Sequence, residues 1–316
     1  TLSCSNNQLT SLNVSGCTAL TSLDCSWNQL TSLDVSGCTT LTKLNCSWNQ
    51  LTSLNVSGCT ALTTLYCSDN QLTGLDISKN ASLEILSCGN NQLTSLNVSK
   101  NKALTKLKCE GFSSVIKTLT SLNASGCTAL TELNCSVNQL TSLDISGCTS
   151  LKILVCWVNS LTNLDVSDCV SLTELDCAYN QLTSLDVSKN KALIELNCYE
   201  NELTSLDLSN CLNLHYVDCS NNQINGEAMS RLVASLPTCS DDYHGQYSRN
   251  SSYPGGYFVP VSNSNNDEWN LCSKENVASA RTKNWTSLKK KEGHDLELVP
   301  YEGVDLNQPV GHGIIT

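Results

Sequence analysis

The chain has 316 residues, with 18 Lys and Arg against 29 Asp and Glu, and a formal charge of −11. Residues 1–223 carry 10 basic and 18 acidic side chains and residues 224–316 carry 8 and 11. Neither part therefore has the basic excess that nucleic acid or an anionic membrane surface requires, and no apolar run approaches the roughly 18 residues needed to span a bilayer. Thr1, Leu2, Ser3 and Cys4 already sit inside a repeating pattern, with no basic, then apolar, leader before them. A stack of repeats that opened without a cap would expose its core and a backbone edge. The natural protein is therefore expected to continue upstream, with a cap, a signal peptide or both.

From that start a 21-residue period runs along the chain. A Leu-x-Cys triplet recurs at Cys4, Cys25, Cys46, Cys67, Cys88 and Cys109, slips by five residues, and resumes at Cys135, Cys156, Cys177, Cys198 and Cys219 (Val217 replaces leucine in the last copy). A period of this length means a solenoid, in which each repeat buries its apolar face only against its neighbours. Within a repeat, Leu-x-Cys and Leu-x-Val alternate inward and outward as strands do, and Thr, Val and Ser favour extended backbone. Two short strands per coil are expected, joined by tight turns. The slip coincides with the insertion Glu110–Lys117, expected to bulge as a loop, either bland or part of a binding edge.

Of the 20 cysteines, eleven occupy the Leu-x-Cys position and seven (Cys17, Cys38, Cys59, Cys127, Cys148, Cys169, Cys211) a second one, where Asn80, Asn101 and Asn190 substitute. A position open to Cys or Asn is not half of an obligatory bridge. Buried free thiols acting as small apolar groups are expected, and the absence of Cys-x-x-Cys argues against zinc. Asparagine recurs three residues after the Leu-x-Cys cysteine, from Asn7 and Asn28 to Asn222. Its amide can donate to and accept from buried turn backbone. Phe112 interrupts that ladder.

Residues 21–41 give the pattern in full. Leu20, Leu23, Cys25, Asn28 and Leu30 fill L-x-x-L-x-L-x-x-N/C-x-L in the first half. Leu30, Leu33, Val35 and Cys38 fill it in the second, with Leu41 one residue late. The chain resembles bacterial leucine-rich-repeat proteins of the nested type, two half-repeats per coil, over about residues 2–223. That resemblance implies a repeat solenoid of short parallel β-strands. It also implies a secreted or surface-displayed, adhesin-like protein that works by partner binding.

Repeats can be compared within the chain. The outward second-half position is monotonous Asn or Asp, from Asn13 and Asp34 to Asp207. It lacks calcium-loop spacing and reads as a solvated polar ladder. The first half varies and carries aromatics. Trp27 and Trp48 fall at equivalent positions on adjacent coils, with Tyr66 on the next, and Trp157, Tyr179 and Tyr199 fall on three later ones. Aromatic anchors are enriched in binding sites, so these six are the candidate binding residues for a protein or glycan. The alternative is that the rings only shield turn backbone or pack on each other.

Beyond the repeats, residues 224–304 are expected to form a small α/β cap and 305–316 a frayed tail. Met229, Leu232, Val233 and Leu236 have helical spacing before Pro237. Residues 256–261 read as a strand that Pro260 assigns to an edge. Ser273 is a plausible N-cap for a helix to about Lys283, and 285–288 and 296–299 read as strands. Cys239 and Cys272 lie outside the repeat register, as a disulfide or as two free thiols. Cys239 and His244 share a loop without a third orienting residue, and no nucleotide, metalloprotease or nucleophile-elbow motif occurs. The sequence thus favours a non-enzymatic binding module without cofactor or metal. A passive spacer is the alternative, and catalysis in the C-terminal segment a remote one.

Overall fold

A computed structural model describes residues 1–111, 118–239, 256–262, 270, 272–291 and 294–302. It divides into two compact units, Thr1–Gln181 and Leu182–Thr316.

The first unit is built on a parallel sheet with one strand per coil. Its strands are β1 (Leu2–Ser3), β2 (Ser22–Asp24), β3 (Lys43–Asn45), β4 (Thr64–Tyr66), β5 (Ile85–Ser87), β7 (Lys106–Lys108), β9 (Glu132–Asn134), β11 (Ile153–Val155) and β12 (Glu174–Asp176). The register aligns the central leucines, Leu23 with Leu44, Leu44 with Leu65, and Leu65 with Leu86. Each is buried, as are Cys25, Leu30, Val35, Cys38 and Leu41 of the same repeat. The period therefore records the inward positions, as the sequence implies.

Second-half strands are rarer than expected. Among the described residues only β6 (Ser95–Asn97), β8 (Ser121–Asn123) and β10 (Ser142–Asp144) form a second parallel sheet, with isolated bridges linking Asn13, Asp34 and Asn55. In coils with and without a second strand, the outward Asn or Asp closes a local turn with its side chain. Asn13 Oδ1 accepts from the Ser15 N–H at 2.9 Å and Asp34 Oδ1 from the Ser36 N–H at 2.9 Å. The Ser36 hydroxyl and N–H hold the Asp34 carboxyl below its usual range. The polar ladder is thus a row of Asx turns.

The asparagine ladder bonds coil to coil. Asn49 Nδ2 donates to the carbonyls of Cys25 (3.0 Å) and Cys46 (3.1 Å), and its Oδ1 accepts from the Leu30 N–H at 2.9 Å. Asn138 reaches across the insertion to Cys109 O at 3.0 Å. Where Phe112 breaks the ladder, Asn91, Cys109, Thr118, Leu119 and Asn138 line a cavity of about 10 Å³, room for one water. Phe112 to Lys117, and with them the expected bulge, lie outside the described residues.

The cysteines are free thiols. Those at the second position do more than fill space. Cys59 Sγ donates to Val35 O at 3.3 Å, and Asn80 Nδ2, one coil on, to Val56 O at 3.0 Å. Cysteine and asparagine interchange because each supplies a donor to the preceding coil. The amides bring an acceptor too, and Asn80 Oδ1 and Asn101 Oδ1 are buried without a partner. Asn101→Cys should therefore raise the unfolding free energy by about 1 kcal/mol. It removes an unsatisfied oxygen and keeps a donor for Ile77 O, although the second amide bond, to Asn80 O, is lost. Urea unfolding decides the sign, and a loss of stability would show that second bond to outweigh the orphaned oxygen.

In the second unit β13 (Glu195–Asn197) and β14 (Tyr216–Asp218) continue the repeats, followed by α1 (Gly226–Ser235), β15 (Gly256–Ser262), α2 (Lys274–Thr282), β16 (Trp285–Lys291) and β17 (His294–Pro300). The last pair is antiparallel, and the others are parallel. Ser273 caps α2 by accepting from the Asn276 N–H at 3.1 Å. Buried Trp285 donates from Nε1 to Pro237 O at 2.6 Å. Contrary to the edge assignment, β15 is flanked by β14 and β16; a register shift between Phe258 and Val261 accommodates Pro260. The ladder also outlives the period. Buried Asn270 accepts from the Ile224 N–H at 2.7 Å and donates to Cys219 O (2.7 Å) and Pro260 O (2.8 Å), as a repeat asparagine does. No helix among the described residues is long and apolar enough to cross a membrane. Residues 303–316, including the expected tail, lie outside the described ones.

Candidate interaction surface

After ten of the eleven strands of the Leu-x-Cys series the backbone turns through one left-handed residue. The turn is stitched to the next coil, as Trp27 N–H donates to Ser47 O at 3.0 Å and Asn28 N–H to Trp48 O at 3.2 Å. Asn6, Asp69, Asn90 and Asn221 occupy this position, and Asn and Asp tolerate it. Trp27, Trp48, Val137, Val158, Tyr179 and Glu200 occupy it too, with φ between 53° and 55° for all but Trp48 at 57°. Side chains of that kind are strained there by roughly 1 kcal/mol or more.

Two of these strained residues meet. The Trp27 and Trp48 rings stack with centroids 4.3 Å apart and planes 9° from parallel, yet remain 51% and 45% exposed. Tyr66, on the next coil, is half-buried, and Lys43 Nζ lies 5.9 Å from its ring centroid, within cation–π range. Further along the same unit Trp157 is 37% and Tyr179 38% exposed. Tyr199, in the second unit, departs from the expectation. It is 4% exposed and its hydroxyl accepts from Asn221 Nδ2 at 3.2 Å. It fills the interior and offers no surface ring.

Sequence comparison among coils overlooked the outward residue three before each cysteine. This row brings Lys43, Ile85, Lys106, Glu132, Ile153 and Glu174 onto the face. Lys106 and Lys108 pair with Glu132 at 2.9 and 3.5 Å. The hydrogen bond from Lys106 holds the Glu132 carboxyl below its usual range. Reading the strand period outward as well as inward would have revealed the row.

The thiols offer little chemistry. Burial pushes Cys25 up to about 12 and Cys46 and Cys67 well above the usual thiol value, so they are neutral near pH 7 and poor nucleophiles or metal ligands. Cys239 and Cys272 are also buried, each carrying a thiol. Cys239 Sγ donates to Leu214 O at 3.3 Å, and burial pushes Cys272 up to about 12. His244, the other half of the candidate pair, lies outside the described residues.

A scan against protein-family models matches none, and a search of curated proteins finds no relative. Among solved structures the chain is similar to the functional domain of InlJ from Listeria monocytogenes, which includes a cysteine ladder. Identity is 38% with a TM-score of 0.65, over 73% of this chain and 51% of that one. The chain thus spans about half the length of that relative. Two more distant likenesses show the fold alone. One is to a chain of the LRIM1/APL1C complex, at 22% identity and a TM-score of 0.63, over 72% of this chain and 46% of that one. The other is to the leucine-rich-repeat domain of APL1B, at 18% and 0.61, over 88% and 85%. With its aligned leucines, its asparagine rungs and its stacked thiols, the chain is a leucine-rich-repeat solenoid with a 21-residue coil.

Proposed function

We propose that this chain is a non-catalytic module that binds a protein or glycan ligand through its first-half face, within a secreted or surface-displayed bacterial protein. The observation that carries this reading is the exposed Trp27–Trp48 stack, held at strained backbone positions where Asn or Asp serves other coils. Strain kept where the fold does not need it is characteristic of functional positions. The coil-to-coil bonding fixes the face before a ligand arrives, which reduces the entropy lost on binding. The likeness to a bacterial leucine-rich-repeat domain supports the same reading.

The stack itself favours one rival, a passive spacer whose rings only cover each other. Changing Trp27 and Trp48 together to Ala separates the two. In a screen against glycans and extracellular proteins, a binding module loses its ligand in this variant while its melting temperature holds. A spacer shows no ligand for either form.

A further inference from the structure

The chain contains a single Asn-Gly pair, Asn225 and Gly226. It lies where the repeats give way to α1. Both residues are exposed, and a side chain at Gly226 would meet nothing within 4 Å. Gly226 has a φ of 52°, so α1 opens on a left-handed residue, which glycine adopts without strain. Among the described residues no hydrogen bond engages the Gly226 N–H, which as the first donor of a helix has no partner inside it. Asn225 stands at the N-cap, yet its side chain makes no cap bond. Its Nδ2 reaches Gln223 O at 3.4 Å, a long contact.

Asparagines of the repeats are held differently. Asn222, a rung, is buried and tied at both ends of its amide. Its Nδ2 donates to the carbonyls of Cys198 and Cys219, each at 3.0 Å, and its Oδ1 accepts from the Leu203 N–H at 2.9 Å. The exposed amides of Asn13, Asn55 and Asn97 accept from the serine N–H two residues on. The residue between is valine in each case, whose branched side chain crowds the backbone nitrogen beside the amide. Asn225 differs on every count. Its amide is exposed and loosely held, and the nitrogen that follows it is exposed, unbonded and uncrowded.

We propose that Asn225 is a site of spontaneous deamidation through a succinimide, with hydroxide and water as the co-reactants. Hydroxide takes the proton of the Gly226 backbone nitrogen, which attacks the Asn225 side-chain carbon Cγ. A C–N bond forms, the bond from Cγ to Nδ2 breaks, and ammonia leaves with a proton from water. Water then adds to either carbonyl of the ring. Opening at the side-chain carbonyl restores the normal backbone and leaves aspartate. Opening at the main-chain carbonyl leaves isoaspartate, whose backbone runs through Cβ. Overall one water is consumed and one ammonia released, and nothing is oxidised or reduced.

The aspartate product suits its place. A helix N-terminus favours negative charge, and aspartate is a good N-cap residue. Isoaspartate instead lengthens the main chain at the entry to α1. That helix buries Met229, Leu232 and Val233, and its Ser235 Oγ accepts from the Leu208 N–H at 3.0 Å, on a preceding coil. Deamidation thus divides the molecules between two versions of the entry to the cap. This inference is independent of the binding reading and goes beyond it.

The test is to incubate the folded full chain at neutral and mildly alkaline pH in water enriched in heavy oxygen, then to map its peptides by mass spectrometry. The peptide carrying Asn225 should become acidic and labelled ahead of every peptide carrying a rung or Asx-turn asparagine. It should hold both aspartate and isoaspartate, the latter revealed by an isoaspartyl methyltransferase. Conversion should quicken as pH rises, because the attacking nitrogen must lose its proton. Gly226→Ala should slow it severalfold, since a side chain at positive φ is strained and crowds that nitrogen. Asn225→Ser, which keeps a good N-cap residue, should abolish it. Circular dichroism and melting confirm that both variants are folded. An amide as long-lived at Asn225 as in the rungs overturns the proposal. So does conversion confined to the urea-unfolded chain, because the fold would then protect the pair. Aspartate without isoaspartate, or a rate indifferent to Gly226→Ala, overturns it as well.

Discussion

Asn91→Leu is expected to lower the unfolding free energy by about 3 kcal/mol, although the two side chains are close in size. Asn91 is buried, and its Nδ2 donates to the carbonyls of Cys67 and Cys88, each at 3.0 Å, while its Oδ1 accepts from the Leu72 N–H at 3.0 Å. Leucine preserves volume and removes every one of these bonds. The Leu72 N–H then has no partner in a dry interior, since Leu72 is itself fully buried. Each orphaned group of this kind costs about 1–3 kcal/mol, and two coils share the damage because the rung joins them. Urea unfolding gives the magnitude, and faster hydrogen exchange at Leu72 gives the location. Stability within about 0.5 kcal/mol of the parent, the range of an ordinary surface change, would mean that the ladder decorates the turns rather than holding them.

What the sequence makes legible follows from where the forces act. Leu23, Cys25 and Asn28 repeat because each must fit the same residue one coil away. Stacking constrains the inward positions, and these become periodic. The left-handed turn is invisible in the same letters. Trp27 and Val158 adopt it because bonds to neighbouring coils dictate the backbone, overriding their local preference. Asn270 is hidden for a different reason. It completes a rung exactly as Asn222 does in chemistry, but residues inserted between β15 and the rung erase the spacing that marks the others. Pro260 misleads because the edge rule assumes an unbroken ladder, and the register shift supplies a break.

The candidate site was legible only in part. Trp27 and Trp48 stand out as aromatics at equivalent positions, and the structure brings their rings together. Position does not settle exposure, however. Trp157 and Tyr199 each directly follow a repeat cysteine, yet one is 37% exposed and the other buried against Asn221. Ile153 escaped notice because a lone isoleucine beside a leucine reads as core. Only the register, which sets it level with Glu132 and Glu174, shows that it faces out.

Cys67→Asp should be the most damaging single change in the repeats, with a loss of about 4 kcal/mol or more at neutral pH. Cys67 is fully buried between Cys46 and Cys88, and its thiol is pushed well above the usual value by desolvation first and those neighbours second. A site that so disfavours a thiolate disfavours a carboxylate too, and no cation lowers the Cys67 thiol, whose titratable neighbours are the thiols of Cys88 and Cys46. Cys67→Val, which roughly keeps the apolar volume, should cost under about 1.5 kcal/mol. The pH dependence tells the two apart. The introduced carboxyl would have a folded pKa above its unfolded value of about 3.9, so the folded state holds its proton more tightly. Below about pH 4 both states are protonated and the deficit is smallest. It grows by about 1.4 kcal/mol per pH unit as pH rises towards the folded pKa, then levels off. Urea midpoints at low and neutral pH should therefore diverge for Cys67→Asp beyond any change shared with Cys67→Val. A carboxylate variant as stable as the valine one at pH 7 would place the Leu-x-Cys thiols at the surface, and the buried ladder would have to be abandoned.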